Sequence, residues 1–179
     1  MQYEAFRAAI VSPALQAVAD HWNAARGARL MPSWPQLQPS QIAAQLPIVW
    51  VYKYDRDTRE FVGRLAGDRI TRHCGKNFRG IRLEELHPPE LLPRAYAHMN
   101  RLVEEPALYH CAGPLFRQRE RIGVGERIIL PLAGDGVHPD GVLGASDYEY
   151  ALPNPAYAPV EIMGEGIRWF SLAPDLVAA

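Results

Sequence analysis

Two dipeptides repeat the same pair of metal-binding side chains: His73-Cys74 and His110-Cys111. Imidazole and thiolate are the ligands of structural zinc. The spacing argues against that chemistry. Neighbours in a strand point to opposite faces and neighbours in a helix diverge by about 100°, so adjacent ligands do not converge on one ion. Zinc sites normally leave two or more residues between paired ligands. Ordinary packing is the simpler expectation for both cysteines, and no metal site is assigned.

The other reactive residues are scattered. Of the 19 basic residues only Lys53 and Lys76 are lysines, which leaves 17 arginines. The densest group, Arg117, Arg119, Arg121 and Arg127, is interrupted by Glu120 and Glu126, and reads as a solvated face rather than a bidentate anion site. Ser146-Asp147 and six histidines could exchange protons, as in any domain. No nucleophile elbow, paired-carboxylate motif or HExxH occurs, so no catalytic residue is assigned and an enzyme is not expected. The glycine pairs Gly123/Gly125 and Gly134/Gly136 lack the strand–loop–helix setting of a phosphate loop and suit hairpin turns instead.

The whole chain sets the frame for these residues. Its 179 residues suit one domain with a sizeable core, and 48% hydrophobic with 22% charged is a globular composition. A net charge of -1 gives no electrostatic reason to seek nucleic acid or an anionic membrane. The start, MQYEAFRAAIVSPALQ, has neither a basic leader nor a long apolar run, and no window approaches the ~20 apolar residues of a membrane span. The expected location is the cytoplasm.

The elements follow from local pattern. Ser12 and Pro13 open a helix over about 13–26 that Gly27 stops, with Leu15, Val18, Ala19 and Trp22 as its apolar stripe. Residues 27–47 read as an extended connector with one helical turn near Ser40–Gln45, too apolar at Leu30, Met31, Trp34, Leu37, Ile42 and Leu46 to leave the core. Strands are expected over 48–54 and 60–66. Short helices follow over 68–73 and 83–86, then a longer one over about 90–104, with Leu92, Ala95, Met99, Leu102 and Val103 inward and Arg94, His98 and Arg101 opposite. Strands are expected over 107–116, 127–133 and 142–150, with Pro131 suggesting an edge or a bulge. The last residues, with Pro153, Pro155 and Pro159, form an extension anchored by Trp169 and Phe170. The sum is an α+β layout: a five-stranded antiparallel sheet with helices on one face. It divides into an N-terminal helix and connector (1–47), a core (48–150) and a C-terminal extension (151–179).

This order and its local wording resemble the PAS fold, and more closely a bacterial, alphaproteobacterial single-domain PAS subfamily. The likeness is carried by WNAARGARLMP from Trp22 to Pro32, Gln38-Pro39, Leu46-Pro47, Arg64-Leu65-Ala66-Gly67, Gly75 and Gly80. It continues through Ile129-Leu130-Pro131-Leu132-Ala133, Asp135-Gly136 and Leu143-Gly144, and spans about residues 15–150. The resemblance implies a non-catalytic sensory or protein-interaction module with a small interior cavity between sheet and helices. It also implies a homodimer, or a signalling partner acting in trans. Trp50, Tyr52, Leu65, Ile70, Phe78, Met99 and Leu130 are the candidate cavity lining, and Leu15, Val18 and Trp22 the candidate interface, unless that stripe caps its own domain. The cavity could take a small organic ligand or be filled by its own side chains. Haem would need His98, whose face it shares with Arg94 and Arg101, so solvent is expected there. A light-sensing flavin would need the reactive-cysteine wording that RHCGKNFRG around Cys74 lacks. Neither cofactor is assigned. The alternatives are a ligand-free dimerisation or interaction module and, less in keeping with the residues, an uncharacterised enzyme.

Overall fold

The computed structural model describes residues 2–75, 77–118, 120–152 and 166–172, apart from the side chains of His73 and Gln118. Arg119 of the arginine group and Pro153, Pro155 and Pro159 of the extension lie outside them.

Helices α1 (Gln2–Ala9) and α2 (Pro13–Arg26) come first. The Ser12 hydroxyl accepts from the Leu15 amide at 3.3 Å and Pro13 sits in the first turn, as the sequence predicts. Helix α1 is an addition: Tyr3 and Phe6 are buried, and Phe6 meets the Phe170 ring edge-on at 5.5 Å. The connector is more helical than expected, with 3-10 turns at Trp34–Gln36 and Pro39–Ile48. It is tied to α2 where the Gln38 amide donates to His21 Nε2 at 3.2 Å.

Strands β1 (Val49–Asp55) and β2 (Glu60–Ala66) form a hairpin. Helices α3 (Asp68–Cys74), α4 (Leu83–Leu86) and α5 (Leu92–Glu104) cross over to β3 (Ala107–Gln118), β4 (Arg121–Leu132) and β5 (Gly141–Ala151). The sheet is antiparallel, in the order β2-β1-β5-β4-β3-β6. Three corrections follow. Among the described residues the sheet has six strands, because β6 (Arg168–Ser171) adds to the free edge of β3. Strand β4 begins six residues earlier than expected, since Arg121–Glu126 continue the ladder. Pro131 lies on an inner strand without a bulge: it pairs with Val142 of β5, while the recorded pairing to β3 ends at Ile129. Its carbonyl, with no β3 partner, accepts from Trp22 Nε1 at 2.9 Å.

The sheet is covered on both faces, and side-chain alternation sorts the core accordingly. Val49, Val51, Ile128, Leu130, Leu143 and Ala145 pack with α1, α2 and the connector. Trp50, Tyr52, Tyr109, Ile129, Val142 and Tyr148 face α3 and α5.

Candidate functional site

Between the sheet and helices α3–α5 lies a cavity of about 540 Å³. Its floor is the inner face of β1, β3, β4 and β5: Trp50, Tyr52, Tyr109, Leu115, Arg127, Ile129 and Ser146. Its wall is Ile70, Cys74, Phe78, Leu83, Ala95, His98 and Met99, with His87, Pro88 and Glu90 also lining it.

Two glycines make room for the rings. Gly144 stands opposite Trp50 in the β1–β5 ladder, and a Cβ there would lie 2.2 Å from the indole. Gly63 of β2 exchanges backbone hydrogen bonds with the loop that carries Phe78, to Ile81 and from Gly80, both at 2.8 Å. Phe78 then meets Tyr52 at 4.9 Å between ring centres.

The polar groups are few and connected. Arg127 Nε donates to Ser146 Oγ at 2.9 Å, and Trp50 Nε1 donates to the same oxygen at 3.2 Å. His98 stands 5.7 Å from the Tyr109 ring and 6.0 Å from the Trp169 ring. Trp169 is held in turn under Arg101, 4.4 Å from its ring centre. Burial, then the charges of Arg94, Arg101 and Arg127, hold His98 below the ordinary histidine pKa. Burial likewise pushes the Tyr52 and Tyr109 hydroxyls and the Cys74 thiol up, so none of the three is a ready anion near neutrality. For Cys74 this is the opposite of what a reactive thiolate requires.

Trp50, Tyr52, Ile70, Phe78 and Met99 line the cavity as the sequence suggests. Leu65 and Leu130 do not. Leu65 pairs with Val51, on the other side of the pleat, and is 41% exposed. Leu130 is buried under α2, and its neighbour Ile129 takes the cavity position. Leu15, Val18 and Trp22 are all 0% exposed within their own chain, so the stripe caps its own sheet and offers no surface to a second copy. Trp169 and Phe170 are anchors, one on each face.

Two lining residues lie on the side opposite to the one the sequence predicts. The sequence predicts His98 in solvent with Arg94 and Arg101, yet it lines the cavity. Ala95, His98, Met99 and Leu102 fit the i, i+3, i+4, i+7 template, and that spacing is the signal that finds it. The sequence groups Arg127 with the solvated arginines and takes Leu130 as the inward residue; the strand has the opposite phase, and alternation sets Arg127 beside Ile129 on the inner face.

A family model described as a PAS domain matches residues 10–146 of the chain. No curated protein and no solved structure matches it.

Proposed function

The chain belongs to the PAS domain family, and from that premise we propose that it is a sensory module that binds a small organic molecule in the cavity between sheet and helices. PAS domains generally serve as non-catalytic sensory or regulatory units. The cavity carries this reading: about 540 Å³ of space, walled by aromatic rings, with a few fixed polar groups. That is the usual make-up of a small-molecule site, whose volume runs to about 300–1,000 Å³. A core serving only stability would be filled at this point by its own side chains.

The signal passes on by contact with another protein. The near-neutral charge supports a protein partner over nucleic acid. No helix among the described residues is long and apolar enough to cross a membrane, in keeping with a cytoplasmic site of action. The motifs from Trp22 to Pro32 and from Ile129 to Ala133 support placement in the bacterial single-domain subfamily.

Native mass spectrometry of the protein as purified tests the reading. A non-covalent adduct of small mass, lost on mild activation and reduced in a cavity-filling Ala95→Phe variant, supports it. Adduct-free protein that also takes up no added small molecule, charged or neutral, overturns it.

A further inference from the structure

Building on the ligand-binding reading above, we propose that the cavity is built for a small carboxylic acid with a flat aromatic body, its carboxylate held by Arg127 and Ser146.

The first observation is a count of donors and acceptors. A serine hydroxyl has two lone pairs and one proton. Ser146 Oγ accepts from Arg127 Nε and from Trp50 Nε1, so both lone pairs are committed and the proton is left to give away. Ser146 is only 1% exposed, and no acceptor for that proton is found among the described residues. A buried donor left unmatched costs free energy until something accepts from it.

The second observation is charge. Arg127 comes from an inner strand, and among the described residues only its Nε is engaged. Among the described residues it forms no ion pair. Its charge instead reaches Tyr52, Cys74, His98 and Tyr109, none of which is a ready anion near neutrality. Arg117 adds a second guanidinium at the exposed rim, and Glu90, also exposed, is the one carboxylate among the described lining residues. A partly desolvated guanidinium is stable when paired, and its planar fork matches a carboxylate. The Arg127 Nη donors and the Ser146 hydroxyl together ask for an oxyanion, and a cationic ligand would be repelled.

The third observation is shape. Trp50, Tyr52, Phe78 and Tyr109 bound the space beside Arg127. Rings of this kind prefer offset or edge-on contact with another flat π-system.

Calorimetric titration with phenylacetate, indole-3-acetate, their neutral amides and octanoate tests the assignment. The acids should bind at least about tenfold more tightly than the amides, the yield of one charge-assisted contact. The aryl acids should outrank octanoate. Arg127→Met should bring the acid-to-amide ratio close to one, and Ser146→Ala should lower acid binding while circular dichroism stays unchanged. Should Arg127→Met fail to fold, the wild-type ratio and Ser146→Ala decide the matter. Acids and amides binding alike, or amides alone binding, overturns the carboxylate assignment and leaves the ligand-binding reading intact. No binding by any of these probes overturns the carboxylate assignment, and the ligand-binding reading falls with it only if native mass spectrometry also finds the purified protein adduct-free.

Discussion

Glu126 and Arg127 are consecutive in β4 and serve opposite faces of the sheet. Glu126 turns outward to the junction of α1 and α2, where it accepts from the amides of Val11 (3.0 Å) and Ser12 (2.5 Å) and stands 3.0 Å from His110 Nε2. Arg127 turns inward to the cavity. One strand position thus separates the N-terminal helices from the candidate ligand site. Their neighbours on β5 repeat the arrangement: Ser146 holds Arg127, and Asp147 accepts from the Ser12 hydroxyl at 2.6 Å.

Glu126 should matter for stability out of proportion to one surface charge. Its side chain is 11% exposed. Burial opposes its ionisation, but the Val11 amide, His110 and the Ser12 amide outweigh that and hold its carboxyl below the ordinary range. Glu126→Ala leaves two amides and a buried imidazole without their acceptor. The Val11 amide is exposed and can turn to water, but the Ser12 amide is part-buried and His110 is buried, so the expected cost is about 1–3 kcal/mol in urea unfolding, the loss for buried polar groups left unsatisfied. A change no larger than an ordinary surface substitution, about 0.5 kcal/mol, contradicts the role.

Trp22 is a core residue, not an interface residue. It is wholly buried and its indole nitrogen is spent on Pro131. Trp22→Ala should cost about 3–5 kcal/mol. Light scattering should give the folded variant the same mass as the parent. A variant of parental stability but altered mass would reverse the assignment.

Gly144 controls the position of Trp50. A methyl group there meets the indole at 2.2 Å, and the indole is packed against Tyr52 at 5.8 Å between ring centres. Gly144→Ala should destabilise by about 1–3 kcal/mol, the ordinary cost of overpacking. Trp50 would be driven into the cavity, so uptake of aryl acids should fall as well. Full retention of both stability and uptake would place the cavity floor elsewhere.

Acid should weaken the fold through His98. The groups facing it are Arg94 and Arg101 on its own helix, Arg127 on β4, Tyr109 on β3 and Trp169 on β6. Its folded pKa lies below the ordinary value of 6.5. The unfolded chain therefore binds more protons in that window, and stability rises with pH through it. The contribution is fully present above the ordinary value and is lost as pH falls through the folded one. Melting temperatures between pH 7.5 and pH 5 should drop, and His98→Gln should flatten the part of the slope near and below pH 6.5. An unchanged slope in that variant assigns the acid response to other groups.

Much of the fold was legible because the signals were local. Ser12, Pro13 and Gly27 mark both ends of α2, and alternating apolar residues mark β2 over the same residues the structure shows. What failed depended on distant partners. Helix α1 is held by Phe170, far along the chain, and β6 pairs as an edge with β3. The early part of β4 has little apolar signal, because Arg121, Gly123, Gly125 and Glu126 sit in it. The site was legible where rings announced it, at Trp50, Tyr52 and Phe78. It was illegible at Arg127 and His98, where a charged or polar side chain turns inward and only register or helical phase reveals it.

The most direct measurement is a crystal structure of the protein as purified from its own cells. A discrete organic molecule in the cavity, with its oxygens on Arg127 and Ser146 and a flat body beside Trp50 and Phe78, is the predicted result. A cavity closed by its own side chains, with Arg127 turned out to solvent, would contradict the account.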